Sequence, residues 1–332
     1  MTPKNAAAGR ARFVAVFVGL LIGLAAAAVL GMAIGAVTMS PAEVLSGLVD
    51  GDSLIWRYRA PRILVGVVAG ASMAVAGALL QSALRNPLAA PDTVGITAGG
   101  GLAAVAALLG VGTVPASQLT AVALVGALIG AVVVFLLAGR GIADPVRLTL
   151  TGVAVSVVFS ALTQLLLVRA APEAGAAMTW LRGSLYARTV ADAEIVAPFV
   201  ALGVVAVIVV AHHLDMLGLD DSSMRGVGVS PLAWRVIAGG LAVTLGAAAV
   251  AAAGVLGFAG LIVPHAARML VGSTMLRQVP VAAVGGAALV VVCDAIGRWA
   301  FAPTEIPVGA LIAVVGAPYF IYLLLKMTKV KD

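Results

Sequence analysis

Ten apolar runs, each bounded by charge, proline or glycine, divide this chain between Phe13 and Lys326. They cover approximately 13–36, 62–84, 94–111, 116–139, 147–169, 193–213, 232–254, 258–271, 278–299 and 307–326. A helix needs roughly 20 such residues to cross about 30 Å of hydrocarbon, and most of the runs suffice. The run at 258–271 is too short and is expected to span only part of the bilayer, shielded by its neighbours. The chain is 62% hydrophobic and 10% charged, where a soluble domain carries about 25% charged residues. The expected fold is an all-α integral membrane protein of about ten transmembrane helices. No extramembrane segment is long enough for a soluble domain, so residues 1–332 are expected to form a single membrane domain.

Charge placement orients it. All four lysines lie at the chain ends, at Lys4, Lys326, Lys329 and Lys331, and Arg10 and Arg12 join the first. The positive-inside rule then puts both termini in the cytoplasm, with 1–12 as a cytoplasmic tail, and demands an even number of spans. The first run exceeds a signal-peptide core of about 7–15 residues and is expected to be retained. Segments 37–61, 112–115, 170–192, 255–257 and 300–306 then face outward. Segments 85–93, 140–146, 214–231 and 272–277 face the cytoplasm. The basic residues form no patch interleaved with aromatics, so nucleic acid is not an expected partner, whereas membrane lipid is. The 39 glycines and many alanines suit close packing of helices in lipid.

Several chemistries are excluded or unsupported. A phosphate-cradling G-x-x-x-x-G-K-[ST] loop needs a lysine, and none lies between Lys4 and Lys326, so this chain cannot itself hydrolyse ATP by that route. His212, His213 and His265 do not have metal-site spacing. No cofactor is expected. Cys293, the only cysteine, sits in an apolar run and reads as packing. Inside the spans the clear ionisable candidates are Asp294 and Arg298, four apart and so on one helix face; no proton or sodium relay is visible.

Two further patterns stand out. Ala76-Gly77-x-Leu79 followed by Pro87-x-Ala89 recurs with the same spacing as Ala253-Gly254-x-Leu256 and Pro264-x-Ala266, a weak repeat of inverted sense. Arg57, Arg59 and Arg62, with Arg298 near the same surface, concentrate positive charge on the outward side. They either meet an acidic partner or pair locally with Asp50, Asp52 and Glu305.

Three stretches together resemble one family: "RYRAPRILVGVVAGASMAVAGALLQSALRNPLAAPDTVGITAGG", "GVLGFAGLIVPHAARMLVG" and "CDAIGRWAFAPTEIPVGALIAVVGAPYFIYLL". They are similar to the permease subunits of bacterial type II ABC importers for iron–siderophores, haem and vitamin B12. The resemblance implies a vitamin B12 importer permease-like fold in the bacterial inner membrane. It also implies a second permease copy or paralogue, two ATPase subunits below, and an extracytoplasmic substrate-binding protein above. The cargo so implied is a ferric siderophore, with haem or cobalamin as alternatives; an ion-coupled secondary transporter is the remote one.

By that resemblance Arg59, Arg62 and Arg298 dock the binding protein. The cytoplasmic loop 214–231 couples to the ATPase through Asp220, Asp221, Arg225, Gly226 and Gly228, aspartate standing where the family usually has glutamate. Asn86, Leu88, Ala143 and Asp144 form the cytoplasmic gate. Met73, Gln164 and Met178 are candidate pathway-lining residues.

Overall fold

The structure, a computed structural model, describes residues 3–35, 38–111, 114–139, 144–170, 174–300, 302 and 304–328. Ten apolar helices make up the bundle among these residues: α1 (Pro3–Ala33), α3 (Ala60–Ala83), α4 (Ile96–Val111), α5 (Ala116–Ala138), α6 (Pro145–Arg169), α8 (Val190–Met216), α10 (Pro231–Ala253), α11 (Ala259–Val271), α12 (Met275–Trp299) and α13 (Val308–Thr328). Three short helices lie in the connections: α2 (Pro41–Asp50), α7 (Ala174–Leu181) and α9 (Asp221–Gly226). Each of the ten expected runs is therefore a helix, including the 13-residue α11. The segment before Phe13, expected as a tail, is instead continuous with α1, which begins at Pro3.

Local signals set the boundaries. Ser40 opens α2 with a capping box, its Oγ accepting from Glu43 N at 3.2 Å while Ser40 N donates to Glu43 Oε2 at 2.6 Å. The Ser40 backbone N–H, and after it the Ser40 hydroxyl, hold the Glu43 carboxyl below the usual carboxylate range. Asp144 and Ser230 cap α6 and α10, each followed by proline at the first helical position. A five-residue π-helical turn, Ile55–Arg59, leads directly into α3.

The centre of the bundle is α3 and α10. The apolar window of the span containing α3 is 78% buried within the chain and that of α10 is 72%, against 6% for α1 and 17% for α6. Glycine makes this possible. A Cβ on Gly77 of α3 would overlap the Gly260 carbonyl of α11, and a Cβ on either Gly70 of α3 or Gly286 of α12 would overlap the other's carbonyl. Contact of this kind is how helices associate in lipid, where burying apolar surface between them gains nothing. The two copies of the weak repeat sit in unlike local structure. Residues 76–83 continue α3, whereas Ala253 ends α10 and Gly254 turns the chain at φ 74°.

Contacts sort the connections into two ends. At the near end, where α1 begins, Arg12 Nη2 donates to Met269 O at 3.3 Å and Met275 N to Asp215 Oδ1 at 2.6 Å. At the far end Ser184 N donates to Ala253 O at 2.9 Å and Gly309 N to Gly183 O at 3.2 Å. This grouping is the one the alternation of spans requires.

Gly77→Ala should destabilise the protein by about 3 kcal/mol, because backbone and not a flexible side chain occupies the Cβ position. Gly226→Ala, with open space around its Cβ, should stay within about 0.5 kcal/mol of the parent. Thermal unfolding of the two variants in detergent is the measurement.

Candidate functional site

Charge is gathered at the two ends of the bundle, with a cavity between them. At the far end the organising group is Asp294 of α12, 2% exposed. Arg62, in the first turn of α3, donates Nε to Asp294 Oδ1 and Oδ2 at 3.1 and 3.0 Å and Nη2 to Oδ1 at 2.8 Å. Arg298, one turn along α12, donates Nε to Oδ2 at 3.1 Å. Arg298 also reaches back to α1, giving Nη2 to Gly31 O at 2.7 Å. The Arg59 guanidinium donates to Met32 O. The outermost member is Glu305, 35% exposed, whose Oε2 accepts from Arg62 Nη2 at 2.8 Å.

The structure thus brings together the three arginines expected to dock a partner, and adds what occupies them. Arg59 and Arg298 are buried, and Arg62 is spent on two carboxylates. The π-helical turn and α3 present Arg59 and Arg62 on one side, facing α1 and α12, and α12 itself supplies Arg298. Arg57, on the same turn, is exposed and stacks over Tyr58 with 5.8 Å to the ring centroid.

At the near end the expected coupling loop forms the helix α9. Asp220 caps it, accepting from Ser223 N at 3.0 Å, from Ser223 Oγ at 2.7 Å and from the Ser222 hydroxyl. Those donors hold its carboxyl well below the usual carboxylate range, the hydroxyls of Ser222 and Ser223 contributing most. Asp221 Oδ1 accepts from Arg85 Nη2 and Arg235 Nη2, each at 2.8 Å, and its Oδ2 from Arg235 Nη1 at 3.1 Å. Partial desolvation works against this carboxylate, but the donors of Arg235 and Arg85 outweigh it and lower its pKa. Arg225, 70% exposed, and Val227, 65% exposed, face away from the bundle, while Met224 is fully buried beneath α9. Gly226 ends α9 without a special backbone angle; the left-handed turn falls at Gly228, φ 77°.

Of the expected gate, Asn86 and Leu88 share a tight turn in which Asn86 Oδ1 accepts from Leu88 N at 2.9 Å. Asp144 caps α6 through Val146 N at 2.9 Å and, among the described residues, has no hydrogen bond to that turn. Ala143 lies outside the described residues. Arg85 was not among the expected site residues, and its only sequence signal is a cation directly after a long apolar run.

A cavity of about 540 Å³ lies between α4, α6 and α7, lined by Asp92, Thr97, Ser156, Ser160, Gln164 and Met178 among others. Gln164 and Met178 are where a pathway lining was expected. Met73 is not; it is 1% exposed, within the core of α3.

A membrane bundle with a cavity bearing hydroxyl and amide groups, a capped helix at one end and a buried charge cluster at the other fits a transport permease. Residues 20–326 match the FecCD transport family, and the chain belongs to it. It is 39% identical over 300 residues to the Fe(3+)-citrate import system permease protein YfmE of Bacillus subtilis, covering 89% of this chain and 90% of that one. It is 36% identical over 317 residues to the Fe(3+) dicitrate transport system permease protein FecD of Escherichia coli, covering 95% and 99%. It is 39% identical over 277 residues to the cobalamin import system permease protein BtuC of Halobacterium salinarum, covering 82% and 73%. A solved metal-chelate type ABC transporter in an inward-facing conformation superposes with TM-score 0.83 at 28% identity, covering 95% of this chain and 99% of that chain.

Asp294→Asn leaves the buried Arg298 guanidinium without a carboxylate and Arg62 with Glu305 alone, and should cost about 3–5 kcal/mol. Glu305→Gln, at the exposed edge, should cost less than about 1 kcal/mol. Thermal unfolding in detergent separates them. At the near end, both carboxyl pKa values are depressed, so docking of α9 is fully supported above the unfolded value of about 4 and is lost as pH falls through the lower folded values. A fluorophore on Val227→Cys, in a Cys293→Ala background, should report no change from pH 7 to pH 5 and release only at more acid pH.

Proposed function

We propose that this chain, with a second copy or a paralogue, lines the pathway of an ATP-driven importer whose cargo is a ferric siderophore or similar iron chelate. Two separate ATPase subunits dock at the near end, which faces the cytoplasm. An extracytoplasmic binding protein delivers cargo to the far end. This chain makes and breaks no covalent bond.

The observation that carries the reading is α9. One face of this helix is pinned to the bundle through Asp221, and the other offers Arg225 and Val227 to a partner. Asp220 fixes its first turn, so a pushing partner meets a formed helix rather than a loop. The iron–citrate relatives support the cargo class, and the hydroxyl and amide groups of the cavity wall suit a polar chelate. At the far end, a carboxylate of the binding protein reaches Arg62 by taking the place of Glu305, the more exposed of its two partners. The gate is the turn at Asn86 and Leu88 together with Asp144, which caps α6, and Ala143, which precedes it in sequence.

The test is uptake into proteoliposomes holding this permease, the ATPase encoded beside it, and the neighbouring binding protein preloaded with radiolabelled ferric siderophore. ATP-dependent uptake is expected. Arg62→Lys, which keeps a cation beside Asp294 but loses the fork, should sharply reduce uptake and the stimulation of ATP hydrolysis by the binding protein, while the ATPase activity of the assembled complex without that protein persists. ATP-dependent uptake of cobalamin or haem in place of the siderophore would change the cargo. Uptake driven by a proton gradient without ATP would refute the reading.

A further inference from the structure

Arg85 joins two segments far apart in sequence. Its Nε donates to Leu217 O at 2.9 Å, and its Nη2 donates to Leu219 O and to Asp221 Oδ1, the latter at 2.8 Å. One guanidinium thus holds the whole approach to α9. Its own backbone sits at φ 47°, a left-handed conformation unfavourable for any residue with a Cβ. Glycine would serve better there if only the turn mattered, so the side chain is what the position requires.

The residues that follow are the turn at Asn86 and Leu88, in which Leu88 N donates to Asn86 Oδ1. Asn86 N in turn donates to Gln81 O at 3.1 Å, so the turn is tied to the end of α3 and cannot shift without Arg85. On the other side, Asp221 is also held by Arg235 of α10. A third-exposed Arg–Asp pair alone would add little. Here a planar fork meets three oxygens of one segment, which fixes direction as well as distance.

We propose that Arg85 is a positioning residue that makes α9 and the Asn86–Leu88 turn move as one body, so that displacement of α9 by a partner reaches the end of α3. The functional consequence rests on the reading of α9 as the ATPase-docking helix; the mechanical link does not. Without Arg85, Asp221 stays anchored to Arg235, so α9 remains formed and docked on α10 while its tie to the turn is gone.

Two measurements test this. In the permease alone, with Cys293→Ala removing the only cysteine, nitroxides at Leu88→Cys and Val227→Cys should give one narrow distance by pulsed electron resonance. Arg85→Gly, which accepts the left-handed backbone and deletes only the side chain, should broaden it; equal widths would overturn the link. In the reconstituted complex, Arg85→Gly should hydrolyse ATP yet move about tenfold less cargo per ATP, the loss expected from removing charge-assisted hydrogen bonds. Arg85→Lys, one charge without the fork, should recover part of that ratio.

An unchanged ratio, or hydrolysis and uptake falling in proportion, would overturn the coupling role and leave Arg85 a fold staple. Absence of ATP-driven uptake in the parent complex, with the distance result intact, would instead count against the importer reading.

Discussion

Where α3 crosses α11 and α12, the Gly77 and Gly70 positions lie against the carbonyls of Gly260 and Gly286, with no room for a side chain between the backbones. The rest of the molecule depends on that approach. A bundle in lipid gains nothing from hiding apolar side chains, so its cohesion comes from close backbone packing and from polar groups with no better partner. With α3 and α10 drawn into the middle, both ends of α3 become junctions. Its first turn carries Arg62 to Asp294, and Arg85, two residues beyond its last turn, reaches Asp221.

The two junctions use the same chemistry at different depths, and depth decides what each can do. Asp294 is 2% exposed and held by two guanidinium groups, so any displacement strands buried charge. Asp221 is a third exposed, and water can replace a lost partner there at small cost. The far end is therefore a fixed pin tying α1, α3 and α12. The near end is a joint that stays closed only while several weak bonds act together.

Much of this was legible in the sequence. All ten apolar runs are helices because a bilayer leaves the backbone no other option, and the shortness of α11 follows from its own length. The loop at 214–231 was located as well, but its helix boundaries were not: Asp220 caps and Gly228 turns, leaving Gly226 ordinary. What pattern reading could not give is the direction of a side chain. Arg59 and Arg298 look outward by position and point inward in the structure, because the carbonyls at the end of α1 lie within reach. Met73 failed for the matching reason, since apolar periodicity in a membrane chain does not separate core from pathway. The Arg85–Asp221 bond joins residues 136 apart, and nothing in either neighbourhood announces the other.

Exposure of apolar side chains carries little information in such a protein, because lipid covers them as well as another subunit would. Leu150, Val157 and Leu165 of α6 are all exposed, as are Leu202 and Val209 of α8, and none of them marks an interface by that fact. Polar side chains discriminate better. On α6, Ser156, Ser160, Thr163 and Gln164 recur at helical spacing and all line the same cavity. Lipid is a poor solvent for such a row, so α6 is amphipathic in the inverted sense, apolar where lipid can lie and polar toward the cavity. The hydroxyl and amide groups of α6 are thus turned to the cavity, while the rest of its surface, little buried within the chain, carries the apolar residues that lipid can cover.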